Sequence, residues 1–388
     1  MYYYVKIDLY RYCDGTQTSG LTRRMHMLYD FPFYKLPLYY LNRRFRKATI
    51  LPSNIVFVVT SKCNSRCKTC FIWKHRENEQ KELTLEEYKK IFKSINKAYW
   101  VTAGGGEPFL REDFSEILHN ICRSLRPRIL NIPSNGSQPS EISAIMGKLV
   151  KSYPSIQFIL NLSLDHIGEK HDEIRGLNGN FESLRRTIDL LDSLKNPNFT
   201  AGVHTVLSRY NLEDFPHIYG WIKENLRPKS YIIEDAQVRE EYSNETCEFF
   251  ESKLDYLEAL DFYLSKIKSE RKKSIDRIRK AFRITYYNSI SNALRFNKKP
   301  LTCYAGYASC QINPYGEIWA CATKKLPMGN LREHDYDFTG LWLSKATNII
   351  REGIGQNRCS CHLSNVSYTN IMLNPAALIT TALNYIRY

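Results

Sequence analysis

The chain has 388 residues, enough for one large α/β domain with a smaller module or for two ordinary domains. Hydrophobic residues make up 43% and charges of both signs run throughout, which excludes a disordered chain. The formal net charge of +15 suits nucleic acid, anionic lipid or acidic small molecules, and by itself chooses among none of them.

In chain order, residues 1–10 lack the apolar run and small-residue cleavage site of a secretory signal. Residues 21–47 mix aromatic with basic side chains, among them Arg23, Phe31, Tyr34, Tyr40, Arg44 and Phe45. That mixture fits either docking against the main domain or contact with a lipid headgroup or lipid-linked substrate. From residue 54 to 238, short β-branched or aromatic runs alternate with longer helical ones. Strands are expected at 54–60, 99–103, 128–133, 157–164, 200–207 and 230–238. Helices are expected at 85–97, 113–125, 140–152, 181–195 and 212–225. Thr84 with Glu87 forms a capping box at the first of these helices. Six strands with intervening helices imply a parallel sheet whose chemistry gathers at the C-terminal strand ends. Residues 245–296 contain neither proline nor glycine and read as one or two long helices. After residue 301, turns and short strands dominate, with strands at 311–313 and 317–320 about a Pro314-Tyr315-Gly316 turn. Residues 374–388 read as a terminal helix, with Leu378, Ile379, Leu383 and Ile386 available for one face. No internal repeat, low-complexity tract or apolar run long enough to span a membrane is present.

The 11 cysteines are odd in number and fall in two clusters, a poor disulfide framework. A reducing cytoplasm is therefore expected, where clustered thiols bind metal. The first cluster follows the first strand: Cys63, Cys67 and Cys70 within Thr60-Ser61-Lys62-Cys63-Asn64-Ser65-Arg66-Cys67-Lys68-Thr69-Cys70. Thiolates select iron–sulfur clusters or zinc. A structural zinc site wants four ligands, and the local candidate for a fourth is His75. Three thiolates on a four-iron cluster leave one iron open for chemistry.

Cys-x3-Cys-x2-Cys in the loop after the first strand resembles the signature of the radical S-adenosylmethionine superfamily. The resemblance implies a partial (β/α)6 TIM-type barrel whose open iron binds the amino and carboxylate groups of S-adenosylmethionine. Reductive cleavage there yields methionine and a 5′-deoxyadenosyl radical, with an external donor such as flavodoxin or ferredoxin supplying the electron. Thr69 stands where the family often has an aromatic, so Phe71 or Trp73 would cover the adenine. The second strand runs into Gly104-Gly105-Gly106-Glu107-Pro108, which resembles the family's Gly-Gly-Glu-Pro element; Gly105, Gly106 and Glu107 would hold the methionyl amino group. Ser163 and Arg175, the latter in His171-Asp172-Glu173-Ile174-Arg175-Gly176, resemble the residues that contact ribose and carboxylate. Asn135 and Asp165, at the ends of the third and fourth strands, are further candidates, against plain readings as turn and cap.

Cys303, Cys321, Cys359 and Cys361 form the second cluster, and their setting resembles the auxiliary-cluster module called SPASM, or its shortened twitch form. Four thiolates suffice for a second [4Fe-4S] cluster, with Cys310 and His362 as alternative ligands and structural zinc as the competing occupant. Cys13, Cys122 and Cys247 read as packed thiols. The expected organisation is an extension over 1–53, the core over 54–240, a helical bridge over 241–300 and an auxiliary-cluster module with C-terminal helix over 301–388.

Two enzymatic functions compete. One abstracts hydrogen from a small or carrier-linked metabolite of sugar or lipid type, favoured by the aromatic–basic segment. The other matures a ribosomally made peptide, although only 53 residues precede the core, without the pattern of a leader-binding domain. A non-catalytic zinc module binding nucleic acid is the remote third, since it leaves Glu107 and Arg175 without purpose.

Overall fold

The computed structural model describes residues 33–74, 81–244, 246–270, 274–297, 301–356, 361 and 363–388. Cys13, His75, Cys359 and His362 lie outside them, as do residues 1–32 of the aromatic–basic extension.

The helix α1 (Leu36–Arg44) precedes six alternating units: β1 (Asn54–Thr60), α2 (Leu85–Ile95), β2 (Trp100–Gly105), α3 (Phe114–Asn120), β3 (Ile129–Ser134), α4 (Pro139–Ser152), β4 (Gln157–Ser163), α5 (Glu169–Arg175), α6 (Asn180–Asp192), β5 (Phe199–Leu207), α7 (Phe215–Trp221) and β6 (Ser230–Asp235). All six strands are parallel and lie in chain order, the open arrangement of a partial barrel. The expected capping box of α2 is present, with Thr84 Oγ accepting from the Glu87 N–H and Glu87 accepting from the Thr84 N–H. Helices α3 and α7 each end in a π turn and close on an arginine in the left-handed region, Arg126 (φ 45°) and Arg227 (φ 44°). Each arginine is followed by a proline and then a basic residue, Arg128 or Lys229, at the entry to the next strand.

Strand alternation sets the layers. Leu130, Ile132, Leu160 and Leu162 point out to the helices and are fully buried. Their neighbours Asn131 and Asn161 face the lumen and join by a 2.8 Å hydrogen bond. The β1–β2 register slips between Val58 and Thr60, where the strand hands over to the cysteine loop.

The bridge consists of two helices, α8 (Lys253–Ser269) and α9 (Ser274–Phe296). Beyond it come β7 (Ser309–Ile312), β8 (Glu317–Trp319), β9 (Pro327–Asn330), α10 (Phe338–Leu343), α11 (Lys345–Gln356), α12 (Ser364–Met372) and α13 (Pro375–Arg387). The expected hairpin turns at Gly316 (φ 91°), a left-handed position that suits glycine. However, β7 also pairs with β1 in parallel, so the antiparallel β7–β8–β9 module extends the barrel sheet to nine strands. Helix α12 closes the lumen: Asn54 Nδ2 donates to Asn365 Oδ1 (2.6 Å) and Thr369 Oγ (2.9 Å), and Asn365 Nδ2 donates to Thr102 Oγ (3.1 Å).

Candidate active site

The three cysteines occupy the loop leaving β1, and residues from four other chain segments fasten it. Glu82 Oε1 accepts from the Ser61 N–H (2.6 Å), Ser61 Oγ (2.9 Å) and Thr60 Oγ (3.1 Å), fixing the strand exit. Asn135, at the end of β3, donates from Nδ2 to Asn64 Oδ1 (2.8 Å) and Ser65 Oγ (2.9 Å). The Arg66 and Lys68 N–H groups donate to the backbone carbonyls of Arg175 and Ile174. After β6, Asn244 Nδ2 donates to the Thr69 carbonyl (3.0 Å), and the Phe71 N–H donates to the Tyr242 carbonyl.

Cys67 is buried, and Cys63 and Cys70 are partly exposed. Burial pushes the Cys63 thiol up to about 11, with the Cys67 charge adding to the effect. Cys67 and Cys70 are also raised, burial again first, and Cys70 feels both other sulfurs. Yet among the described residues no three His, Cys, Asp or Glu side chains stand close enough to grip a single metal ion. The sulfurs thus share an electrostatic neighbourhood without converging on one point.

Gly105 and Gly106, expected as cofactor contacts, are pressed against the cysteine loop itself. A Cβ on Gly106 would lie 2.2 Å from the Lys62 carbonyl oxygen, and one on Gly105 2.3 Å from that of Thr60. Glu107 is fully buried: its carboxylate accepts from Ser134 Oγ (2.9 Å) and from the N–H groups of Asn135 (2.6 Å) and Phe109 (3.3 Å). Burial pushes it up to about 7 against the pull of these donors. Ser163 closes β4 beside His204. Arg175 Nη1 donates to Asp165 Oδ2 (3.1 Å), while its buried Nε finds no acceptor among the described residues. Burial weakens the hold of Arg175 on its proton, but the Cys67, Asp165 and Cys63 charges outweigh that. Asp165 is braced in turn, its N–H donating to Nδ1 of buried His171. Phe71 and Trp73 meet edge to face, with the Arg66 guanidinium 4.9 Å from the Trp73 ring centroid.

Sequence reasoning missed Glu82, Asn244 and a buried charge group beyond β6. Arg239 donates to Tyr242 Oη (3.0 Å), and its charge bears on Glu234, Glu241 and Cys361. Glu234 lies 3.1 Å from His204 Nε2 and accepts from the Ser364 N–H. No local spacing marks these residues; only the closed barrel unites them.

Of the second cluster, Cys303, Cys321 and Cys361 line one cavity of about 870 Å³, whose wall also takes in Asn54 of β1, Asp235 at the end of β6 and Gln311 of β7. Cys310 lines it too, from β7. Burial raises the Cys361 thiol, the Cys321 charge adds to that, and Thr323 Oγ lies 3.5 Å from Cys361 Sγ. Cys122 is buried against the helices, as expected of a packed thiol.

Comparison with known proteins agrees with this geometry. The chain is 23% identical over 303 residues to the antilisterial bacteriocin subtilosin biosynthesis protein AlbA of Bacillus subtilis, a match covering 74% of this chain and 59% of AlbA. It therefore spans about three fifths of that relative. It is 25% identical over 317 residues to the AdoMet-dependent heme synthase of Oleidesulfovibrio alaskensis, covering 74% of each. In fold it resembles Streptococcus suis SuiB bound to precursor peptide SuiA, with a TM-score of 0.57 at 15% identity, covering 92% of this chain and 79% of SuiB. The family model described as Radical SAM superfamily matches residues 57–222, from within β1 to the end of α7. With that match lying over the strands that carry the cysteine loop, Glu107 and Arg175, residues 57–222 are recognisable as a radical S-adenosylmethionine core.

Proposed function

We propose that this radical SAM enzyme matures a ribosomally made peptide, which replaces the sequence-based preference for a sugar- or lipid-type metabolite. What carries the reading is the AlbA match: 303 aligned residues exceed the length of the barrel, so the likeness to a bacteriocin biosynthesis protein takes in elements outside it. The fold likeness to SuiB, whose structure contains a precursor peptide, supports the same reading.

The donor set of the loop suits a [4Fe-4S] cluster on Cys63, Cys67 and Cys70: three soft thiols in one loop, close enough for their charges to act on each other. A cluster bound there supplies the electron that cleaves S-adenosylmethionine to methionine and a 5′-deoxyadenosyl radical. Around it, this chain's own groups hold charge and position. Glu107 spends three of about four acceptor positions on protein donors, leaving one for the methionyl ammonium, the counter-charge its buried carboxylate lacks. The Arg175 Nε is a donor awaiting the methionyl carboxylate, and Asp165 keeps the guanidinium aimed. Ser163 is assigned to the ribose. Gly105, Gly106 and Asn135 also seat the cysteine loop.

Cys303, Cys321 and Cys361, with Cys359 of the same segment, would hold an auxiliary [4Fe-4S] cluster in the 870 Å³ cavity. That cavity is walled in part by β7 and by Ala293 and Leu294 of α9, so a peptide side chain entering it would be enclosed. Enclosure matters because a primary carbon radical must meet its target C–H before it meets water.

The test is anaerobic reconstitution followed by reaction with dithionite and S-adenosylmethionine, with and without the short peptides encoded beside the gene. The expected result is 5′-deoxyadenosine release together with a mass change in one peptide, both lost in Cys67→Ala. Release of 5′-deoxyadenosine with every such peptide unchanged, and turnover of a tetrapyrrole or lipid-linked sugar instead, would sink the peptide reading.

A further inference from the structure

The end of the barrel opposite the cysteine loop has a character that this chemistry does not use. Helix α1 and its flanks expose Tyr34, Leu38, Leu41 and Phe45, at spacings of four, three and four residues, on one side of the helix. Helix α13 exposes Ile379, Leu383 and Ile386 in the same rhythm; Ile386 is 75% exposed and Phe45 71%. The two helices and their flanks hold nine of the sixteen exposed large apolar side chains among the described residues. Helix α1 reaches the start of α13: Tyr39 and Leu36 of α1 pack with Leu373, the residue between α12 and α13, and Arg43 donates to the Cys303 carbonyl. Helix α1 and the C-terminal segment thus dock on the domain with their apolar stripes outward.

The segments that carry these stripes hold only basic charge: residues 33–53 and 364–388 contain no aspartate or glutamate. The segments that enter β2 to β6 carry Lys97, Arg126, Arg128, Lys195, Arg227 and Lys229, with Glu224 as their one carboxylate. Between α1 and these segments lies a cavity of about 1190 Å³, to which Tyr34 and Lys35 contribute from α1 and Lys97, Arg123, Arg126 and Arg128 from the barrel; no acidic residue lines it. Burial lowers the Arg128 guanidinium from its ordinary value.

We propose that this face docks on an anionic lipid surface, with the stripes of α1 and α13 entering the headgroup boundary and the basic cavity receiving lipid phosphates. Charge complementarity selects this occupant: a second copy would set two basic cavities, neither lined by an acidic residue, against each other. Apolar stripes rimmed by lysine and arginine are the pattern of helices that lie in a membrane interface, where aromatic side chains favour the headgroup level. No described helix is long and apolar enough to cross a membrane, so the contact is peripheral. Docked this way, the C-terminal strand ends and their cysteine loop face away from the lipid. The proposal is independent of what the enzyme modifies.

Sedimentation of the full chain with vesicles tests it. The protein should pellet with phosphatidylcholine vesicles containing phosphatidylglycerol and much less with phosphatidylcholine alone. Leu38→Ser with Phe45→Ser, and separately Ile379→Ser with Leu383→Ser and Ile386→Ser, should each weaken binding on the order of tenfold or more. Arg123→Gln with Arg126→Gln should abolish the preference for phosphatidylglycerol. All these side chains are exposed and outside the catalytic machinery, so 5′-deoxyadenosine release without vesicles should be unchanged and reports that the variants fold. The proposal is overturned by absence of vesicle binding, by binding that ignores both stripe variants, or by self-association of the free chain that the stripe variants dissolve while no vesicle binds.

Discussion

Gly106→Ala separates two roles for the glycine run, contact with the cofactor and room for the cysteine loop. The added Cβ would lie 2.2 Å from the Lys62 oxygen, 2.7 Å from the Lys62 carbonyl carbon and 2.9 Å from the Ser61 oxygen, all backbone atoms that no rotamer change can move. Ordinary contact requires more than 3 Å, so the loop must retreat by about 1 Å. That retreat strains two backbone hydrogen bonds tying the loops together, Gly106 N–H to Thr60 and Glu107 N–H to Lys62. Overpacking costs about 1–3 kcal/mol and one lost hydrogen bond about 1 kcal/mol, so roughly 2–4 kcal/mol in all. For a chain this long that lowers Tm by about 2–5 °C. Iron counting supplies the second readout: the variant should lose iron from the N-terminal triplet and retain the C-terminal complement. Gly220→Ala is the control, since φ there, as at Gly106, is not positive and nothing lies within 4 Å of the added Cβ. Gly106→Ala protein with unchanged Tm and iron content, and only weaker binding of S-adenosylmethionine, would refute the steric argument and restore direct cofactor contact.

Other outcomes are as specific. Cys67→Ala should halve the iron of a reconstituted protein that holds about eight irons as two four-iron clusters. His171 is buried, which lowers its pKa to about 4, and it remains a neutral acceptor for the Asp165 N–H. An unfolded histidine binds its proton near 6.5, so stability should fall as pH drops from about 6.5 toward 4, by at most about 3 kcal/mol; His171→Gln should flatten that part of a denaturation-versus-pH curve. Glu87 accepts from Arg332 Nε (2.7 Å) and Nη2 (3.0 Å), from Tyr336 Oη (2.7 Å) and from its capping partner, and these bonds hold it down to about 2. Glu87→Gln should therefore cost about 1–3 kcal/mol in urea unfolding at neutral pH, by loosening α2 from the β7–β9 module. Asn244→Ala should shed iron more readily under chelator challenge while leaving secondary structure intact, because Asn244 braces the Thr69 carbonyl beside the third cysteine.

Much of the barrel was legible because its signals are local. The strand expected at 54–60 is β1 to the residue, and the helix expected at 140–152 begins one residue earlier, at Pro139, where a proline suits the first turn. The helix expected over 113–125 instead changes to a π turn at Ile121, a shift of backbone bonding that leaves the apolar pattern unaltered. The cysteine triplet announced itself by spacing. The residues that hold it did not: Glu82 and Asn244 are polar side chains of the kind found in any turn, and only the closed sheet sets them, with the expected Asn135, around one loop. The glycines were expected as cofactor contacts; the structure adds that the cysteine loop is a neighbour of their backbone, which a sequence cannot show. Pairing of β7 with β1 was also invisible, because a four-residue strand carries no mark of its partner.

One structural fact organises both ends of the molecule. Parallel strands joined by helices send every helix N-terminus to the end where the strands finish, and every helix C-terminus to the end where they begin. Helix dipoles therefore leave partial positive charge beside Glu107, Asp165 and the thiols, and partial negative charge at the strand entries. Lysine and arginine at those entries are tolerated, even favoured, by the helices that end there. Arg126 and Arg227 close two of them, each worth about 0.3–1 kcal/mol to its helix. A small local benefit of that size accounts for a cation at each helix end, but not for two outward apolar stripes alongside. Stability and docking thus separate by magnitude. Arg126→Gln should move the unfolding free energy by no more than about 1 kcal/mol. If the basic face serves lipid, the same change should shift vesicle affinity several-fold, because a cation near an anionic surface is worth about 1 kcal/mol there as well, and only the second effect should vanish on neutral vesicles.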